Sequence, residues 1–208
     1  SSDLDFGFSE YRIQPVGTVP FIHANARPAN PGPVGGNVRV ASFNVLNYFS
    51  TVDPNTGPSG YICGPAANQE CRGADSALEL TRQQDKLVQA ILTLDADVLG
   101  LIEMENHASD TAVTTLIAAL NAVAGPGTYA HISAFPLGTD AIKAAIIYQP
   151  ANVTPIGAFM ADNSPIHNRP PLAQTFQLVS NGERFTLVVN HFKSKSCTGA
   201  TGGDVDTG

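Results

Sequence analysis

The sequence is poor in charge. Only 14% of its 208 residues are charged, and 11 Lys and Arg face 18 Asp and Glu, for a net charge of −7. That balance excludes a broad basic face that would grip nucleic acid non-specifically. It still permits a nucleic-acid substrate, because a divalent cation and a few local cations, such as Lys143, Arg169, Lys193 and Lys195, suffice for one phosphate. No apolar run reaches membrane-spanning length, so no membrane partner is expected. The opening Ser-Ser-Asp-Leu-Asp lacks the form of a signal peptide, and any such segment is expected to have been removed. Cysteine is scarce too, and there is no Cys-x-x-Cys pair with a nearby pair of histidines, which argues against zinc. Cys63 and Cys71 share a Pro/Gly/Asn-rich stretch suited to a local disulfide, while Cys197 is left over and is expected to pair beyond Gly208. A disulfide, few lysines and polar uncharged loops together point to a secreted protein, whether extracellular, periplasmic or at the cell surface.

What is present is enough for one domain with a sizeable core, at 43% hydrophobic residues. Residues 1–14 hold a possible strand, Phe6 to Ile13, read as the tail of a preceding accessory domain. Residues 15–36 are a stiff Pro/Gly linker. From 37 to 208 the pattern is globular. A strand at 38–44 leads into a long loop at 47–74. A helix at 76–94 starts with the capping-box pair Ser76 and Glu79, and its apolar face is Leu80, Leu87, Val88, Ile91 and Leu92. The run 97–102 is apolar throughout, as in a strand buried on both faces. A second helix at 110–123 stops at Gly125-Pro126-Gly127. Strands follow at 128–133, 142–149, 153–159, 172–179 and 183–190, the last two joined through Asn181-Gly182. This order predicts an α/β (α+β) fold: a mixed sheet, or two packed sheets, with helices on an outer face.

Three of these apolar strands run straight into polar groups: the first into Asn44, the second into Glu103 and the third into Asn190 and His191. Ligands of α/β sheets bind beyond strand ends, where a rigid scaffold holds loop side chains still. A carboxylate there suits a hard cation, an amide can orient a phosphate oxygen or metal-bound water, and an imidazole can serve a leaving oxygen that needs a proton. Taken singly, each has a plainer reading: Glu103 as a solvated strand terminus, Asn44 as an Asx turn, His191 as a half-buried histidine beside solvated lysines, and Arg169 as a surface-turn arginine.

In combination, Asn44-Val-Leu-Asn47, Leu101-Ile-Glu103-Met-Glu105-Asn106 and Val189-Asn190-His191-Phe-Lys-Ser-Lys195 resemble motifs of the endonuclease/exonuclease/phosphatase superfamily, the DNase I-like fold. Its large secreted bacterial nucleases are the most similar. Arg72-Gly-Ala-Asp75, Thr81-Arg-Gln83, Leu94-Asp-Ala-Asp-Val98, Gly138-Thr-Asp-Ala-Ile-Lys143 and Asn168-Arg-Pro-Pro-Leu-Ala-Gln-Thr175 agree in order and spacing. The resemblance covers about 37–208 and implies the first part of a four-layer α/β sandwich. It implies Glu103 and Asn44 as metal ligands, both catalytic together with His191, which would contact the scissile phosphate or act as general acid, and Arg169, Lys143 and Asn190 as substrate contacts. The implied cofactor is a divalent cation, Mg²⁺ with Mn²⁺ or Ca²⁺ as alternatives, and the implied substrate is DNA or RNA. The family's Gly-Asp-x-Asn and Ser-Asp-His motifs are lacking. Gly203-Asp204-Val205-Asp206 has no final Asn and no preceding apolar strand, and Ser109-Asp110 reads as a helix cap. The missing C-terminal half of the domain is therefore an expected partner. A same-fold phosphatase or sphingomyelinase and a non-catalytic scaffold or adhesion module are the alternatives.

Overall fold

The computed structural model describes residues 2–20, 32–53 and 61–192, with 22, 24, 25, 28 and 30 between the first two stretches. Lys193, Lys195 and Cys197 lie outside the described residues. The chain divides into two units, Ser1–Gly32 and Pro33–Gly208.

In the first unit, strands β1 (Ser2–Gly7) and β2 (Glu10–Pro15) pair antiparallel, Phe6 opposite Tyr11. The expected single strand from Phe6 to Ile13 is thus a hairpin. It reverses at Phe8 and Ser9, both at positive φ, and the cross-strand Phe6–Tyr11 ring contact at 4.9 Å holds the register.

The second unit is built as layers. Strands β3 (Val40–Tyr48), β4 (Val98–Glu105), β5 (Ala130–His131) and β6 (Ile142–Tyr148) form a sheet in the order β3-β4-β6-β5. β3 runs parallel to β4, and β6 antiparallel to it. Helices α1 (Ala77–Leu94) and α2 (Thr111–Ala124) cover one face. A second sheet, β7 (Val153–Ala161), β8 (Leu172–Leu178) and β9 (Arg184–Val189), packs on the other.

The period of the strands explains why β4 is apolar throughout. Leu99 and Leu101 face the helices, where Leu87, Val88, Ile91, Leu116 and Leu120 meet them. Val98 and Ile102 face the second sheet, with Ile146, Leu172, Phe176 and Val189. Each such large side chain contributes roughly 1.5–3 kcal/mol by leaving water. Gly100 lets the two sheets close, since a Cβ there would lie 2.7 Å from Val189 Cγ2.

The caps differ in kind. Ser76 Oγ accepts from Glu79 N at α1, and the Glu79 carboxylate reaches back to Asp75 N rather than to Ser76. Asp110 holds the N-cap position of α2, as its place in the sequence suggests, but its side chain makes no cap bond. Its carboxylate turns inward instead, as described below. The hairpin between β8 and β9 is also longer than a two-residue turn: Leu178 N bonds Glu183 O, with Gly182 at φ 77° inside the loop.

Candidate active site

β3 and β4 do not end at Asn44 and Glu103, as their apolar patterns suggest. Both strands continue across bulges placed side by side. The pairing shifts between Asn44 and Tyr48 on β3, and between Leu101 and Met104 on β4 against β6. Leu46, Asn47 and Glu103 all take positive φ there, 55°, 51° and 68°. None is glycine, so the strain is concentrated where the two polar residues meet. From α1, Gln83 Nε2 holds the β3 bulge by donating to the carbonyls of Val45 (3.1 Å) and Leu46 (2.8 Å).

The bulges bring Asn44 Nδ2 to 2.8 Å from Glu103 Oε1, while Asn44 Oδ1 accepts from Leu46 N at 2.8 Å. These two partners fix which way the amide points: a backbone N–H needs the oxygen and a carboxylate needs the NH₂. Asn44 is therefore both an Asx turn and a clamp on Glu103. Its oxygen does not face the carboxylate, which corrects the expectation of Asn44 as a metal ligand to one of a positioning residue.

His191 follows β9, which packs over β4, and its Nε2 stands 3.8 Å from Glu103 Oε1. Its Nδ1 is buried and has no hydrogen-bond partner among the described residues. Burial, and next the Arg169 charge, hold the imidazole below its ordinary pKa of 6.5, while Glu103 and Asp140 pull it back up. Arg169 Nε lies 3.1 Å from Asp140 Oδ2. A cleft of about 230 Å³ is lined by Asn168, Arg169, Asn190 and His191 among others. The structure thus brings Asn44, Glu103, His191 and Arg169 into one neighbourhood, with Asn190 on its wall.

Lys143 is elsewhere. It shares the β6 face of Ala145 and Ile147, toward the helices, and is 1% exposed. Its Nζ donates to Asp110 Oδ1 and to Ala134 O. Burial pulls its pKa down and Asp110 pulls it back. A lysine sealed in this way does not reach substrate, so the expected contact is corrected to a buried ion pair. Asp140, three residues before Lys143 and absent from the expected set, faces the site's Arg169 instead.

The rest of the Glu103-Met-Glu105-Asn106 stretch supports the walls. Glu105, fully buried, accepts from Ser50 N and Ser50 Oγ, both at 2.8 Å, and from Thr51 N. Asn106 donates to Leu137 O and Asp140 O and accepts from Leu137 N, which anchors the segment carrying Asp140. Gly138, at φ 68°, lets Pro170 sit against that segment, where a Cβ would come within 2.5 Å of Pro170 Cδ. The expected Cys63–Cys71 disulfide is formed.

These donors suit a divalent cation only in part. Mg²⁺ takes one or two protein carboxylates and keeps several waters. Glu103 fits that pattern: Asn44 fixes Oε1, and Oε2 carries no hydrogen bond among the described residues. Among those residues no group of three His, Cys, Asp or Glu could hold an ion by itself, so they do not build an all-protein cage.

Fold and site together define a mixed α/β protein of two packed sheets with a carboxylate, amide, imidazole and guanidinium gathered at one end. No family model and no curated protein matches the sequence. Among solved structures, similarity is found to a humanized TDP2 of D. rerio, at 12% identity over 76% of this chain and 48% of that one, TM-score 0.45. An endonuclease/exonuclease/phosphatase family protein of Bacteroides thetaiotaomicron is 14% identical over 73% and 48%, TM-score 0.43. The human Nocturnin catalytic domain, with bound sulfate, is 14% identical over 57% and 45%, TM-score 0.41. The chain spans about half the length of these structures.

Proposed function

We propose that this chain carries the first part of a metal-dependent phosphodiesterase that hydrolyses nucleic acid outside the cell. The observation that supports it most is the clamped carboxylate: Glu103 on a strained bulge, fixed by Asn44 and facing His191. A divalent cation held by the open oxygen of Glu103 would supply charge stabilisation to the phosphoryl oxygens.

The protein's own residues do the rest. Asn44 keeps the carboxylate in one rotamer, so no reorganisation is needed on binding. Arg169, restrained by Asp140, offers a guanidinium for a non-bridging oxygen. His191 is neutral above its lowered pKa and hydrogen-bonds the phosphate rather than delivering a proton at neutral pH. The carboxylate that activates water and the second histidine come, in this reading, from the remainder of the domain. The disulfide and the lack of any described helix long and apolar enough to cross a membrane are compatible with an extracellular setting.

The test is hydrolysis of single- and double-stranded DNA, RNA, a phosphomonoester and sphingomyelin by the full-length protein. Polynucleotide cleavage that needs Mg²⁺ or Mn²⁺ and stops with EDTA is expected. Replacing Glu103 by Gln keeps an acceptor for Asn44 but removes the charge. It should lower turnover at least roughly 100-fold with little change in melting temperature. Wild-type cleavage that survives EDTA, or action confined to the monoester or the lipid, would overturn the reading.

A further inference from the structure

The turn closed by Cys63–Cys71 contributes no residue to the Glu103–His191 site, yet it is tied to that site's wall twice. Gln69 donates from Nε2 to Thr139 O at 2.6 Å and accepts at Oε1 from Ala141 N at 2.9 Å. It therefore holds the backbone on both sides of Asp140. Immediately after Cys71, an Arg72 guanidinium nitrogen lies 3.2 Å from Asp140 Oδ1, while Arg169 Nε lies 3.1 Å from Oδ2. Each oxygen of one carboxylate thus faces its own arginine.

Two cations on one anion leave a surplus positive charge. The Asp140 and Arg169 side chains are only 17% and 15% exposed, so water screens that charge poorly, while Arg72 at 41% is open to a ligand. The Arg169 Nε–H contact is close but misdirected, leaving a buried donor without a hydrogen bond among the described residues. A pair of half-satisfied guanidiniums around a restrained carboxylate is a poor structural ion pair. It is a good seat for a phosphate, whose oxygens take the remaining donors in the planar geometry that arginine presents. Beside Asp140, Gln69, Gly138 and Thr139 lies an open cleft of about 990 Å³, with Asn68, Asn168 and Pro170 also on its walls. Arg169 lines the smaller cleft together with His191, so the arginine pair links the Glu103 site to Arg72 across Asp140.

We propose that Arg72, held beside Arg169 by their shared Asp140, forms a subsite for the phosphate adjacent to the one at Glu103, His191 and Arg169, and that the disulfide turn positions it. The proposal rests on the phosphodiesterase reading and deepens it: the substrate is a polynucleotide with at least two successive phosphates.

Binding rather than turnover tests it, in EDTA with the full-length protein. A labelled thymidine oligonucleotide is titrated by fluorescence anisotropy at several salt concentrations. Arg72→Gln should weaken binding about tenfold and reduce the salt slope by roughly 0.7, the value for one contact to a single strand. Gln69→Leu, which frees the turn without removing a charge, should weaken binding in the same direction. Arg72→Lys should recover the slope but not the affinity. Inorganic phosphate should displace the oligonucleotide from the wild type at lower concentration than from Arg72→Gln. If Arg72→Gln binds like the wild type with an unchanged slope, the subsite is refuted, whatever the protein hydrolyses. If binding depends on Arg72 but no phosphodiester is cleaved, the subsite stands and the hydrolase reading falls.

Discussion

His191 and Lys143 show how position decides what a titratable side chain does. His191 is lowered by burial first and by Arg169 second, so the unfolded chain binds more protons than the fold below the ordinary pKa of 6.5. Its share of stability is complete above 6.5 and is lost as pH falls through the folded value. Replacing His191 by Ala should lower kcat by about 10²–10³, the cost of losing one preorganised hydrogen-bond donor, while the melting temperature at pH 7.5 changes little. The same variant should lose less melting temperature than the wild type on acidification to pH 5. A large loss at pH 7.5 with turnover preserved would make His191 a core residue only. Lys143 is the opposite case. Its partner Asp110 is 2% exposed, and Asp110 Oδ2, 3.6 Å from His131 Nε2, has no hydrogen bond among the described residues. Lys143→Met should therefore cost about 3–5 kcal/mol, because it strands a buried carboxylate. Adding Asp110→Asn should recover part of that in urea unfolding, and a purely additive double variant would refute the pairing.

At the scale of elements, the contact between β4 and β9 carries His191 toward Glu103, and Gly100 is what permits it. A methyl at Gly100 would meet Val189 Cγ2 at 2.7 Å, and Val189 is a stiff β-branched side chain in a strand. Gly100→Ala should cost roughly 1–3 kcal/mol by overpacking. Combined with Val189→Ala, the loss should be smaller than the sum of the two single changes, measured by chemical denaturation. The apolar run of β4 makes the strand readable from sequence, but its periodicity cannot show that one position must lack a side chain. The bulges are hidden for a related reason. Glu103 at φ 68° breaks the preference of a non-glycine residue, so no local propensity marks it.

For the whole molecule, the open question is what completes the sheets. Among the described residues β3 ends one sheet and β9 ends the other, with Val40 and Val188 42% and 50% exposed. Unpaired edges that carry apolar side chains invite association. Residues 1–208 expressed alone are therefore expected to associate, and light scattering should show a mass that rises with protein concentration; a monomer at every concentration would mean that these edges are covered.

The sequence by itself determined what depends on local pattern. Helical periodicity set α1 and α2 to within a residue or two, the Gly-Pro-Gly stop ended α2, the unbroken apolar run marked β4, and the close pair of cysteines marked the disulfide. The family resemblance, rather than local pattern, proposed Glu103, Asn44, His191 and Arg169 as site residues. Only the tertiary structure decided how they relate, because hydrogen bonds, burial and strain arise between segments far apart in the chain. It turned the Asn44 amide toward Glu103 across 59 positions, drew Lys143 inward onto Asp110, and set Asp140 between Arg72 and Arg169. A lysine on a strand looks the same in sequence whether its face meets water or a helix, and β6 lies between two layers, so its lysine had to find a buried partner.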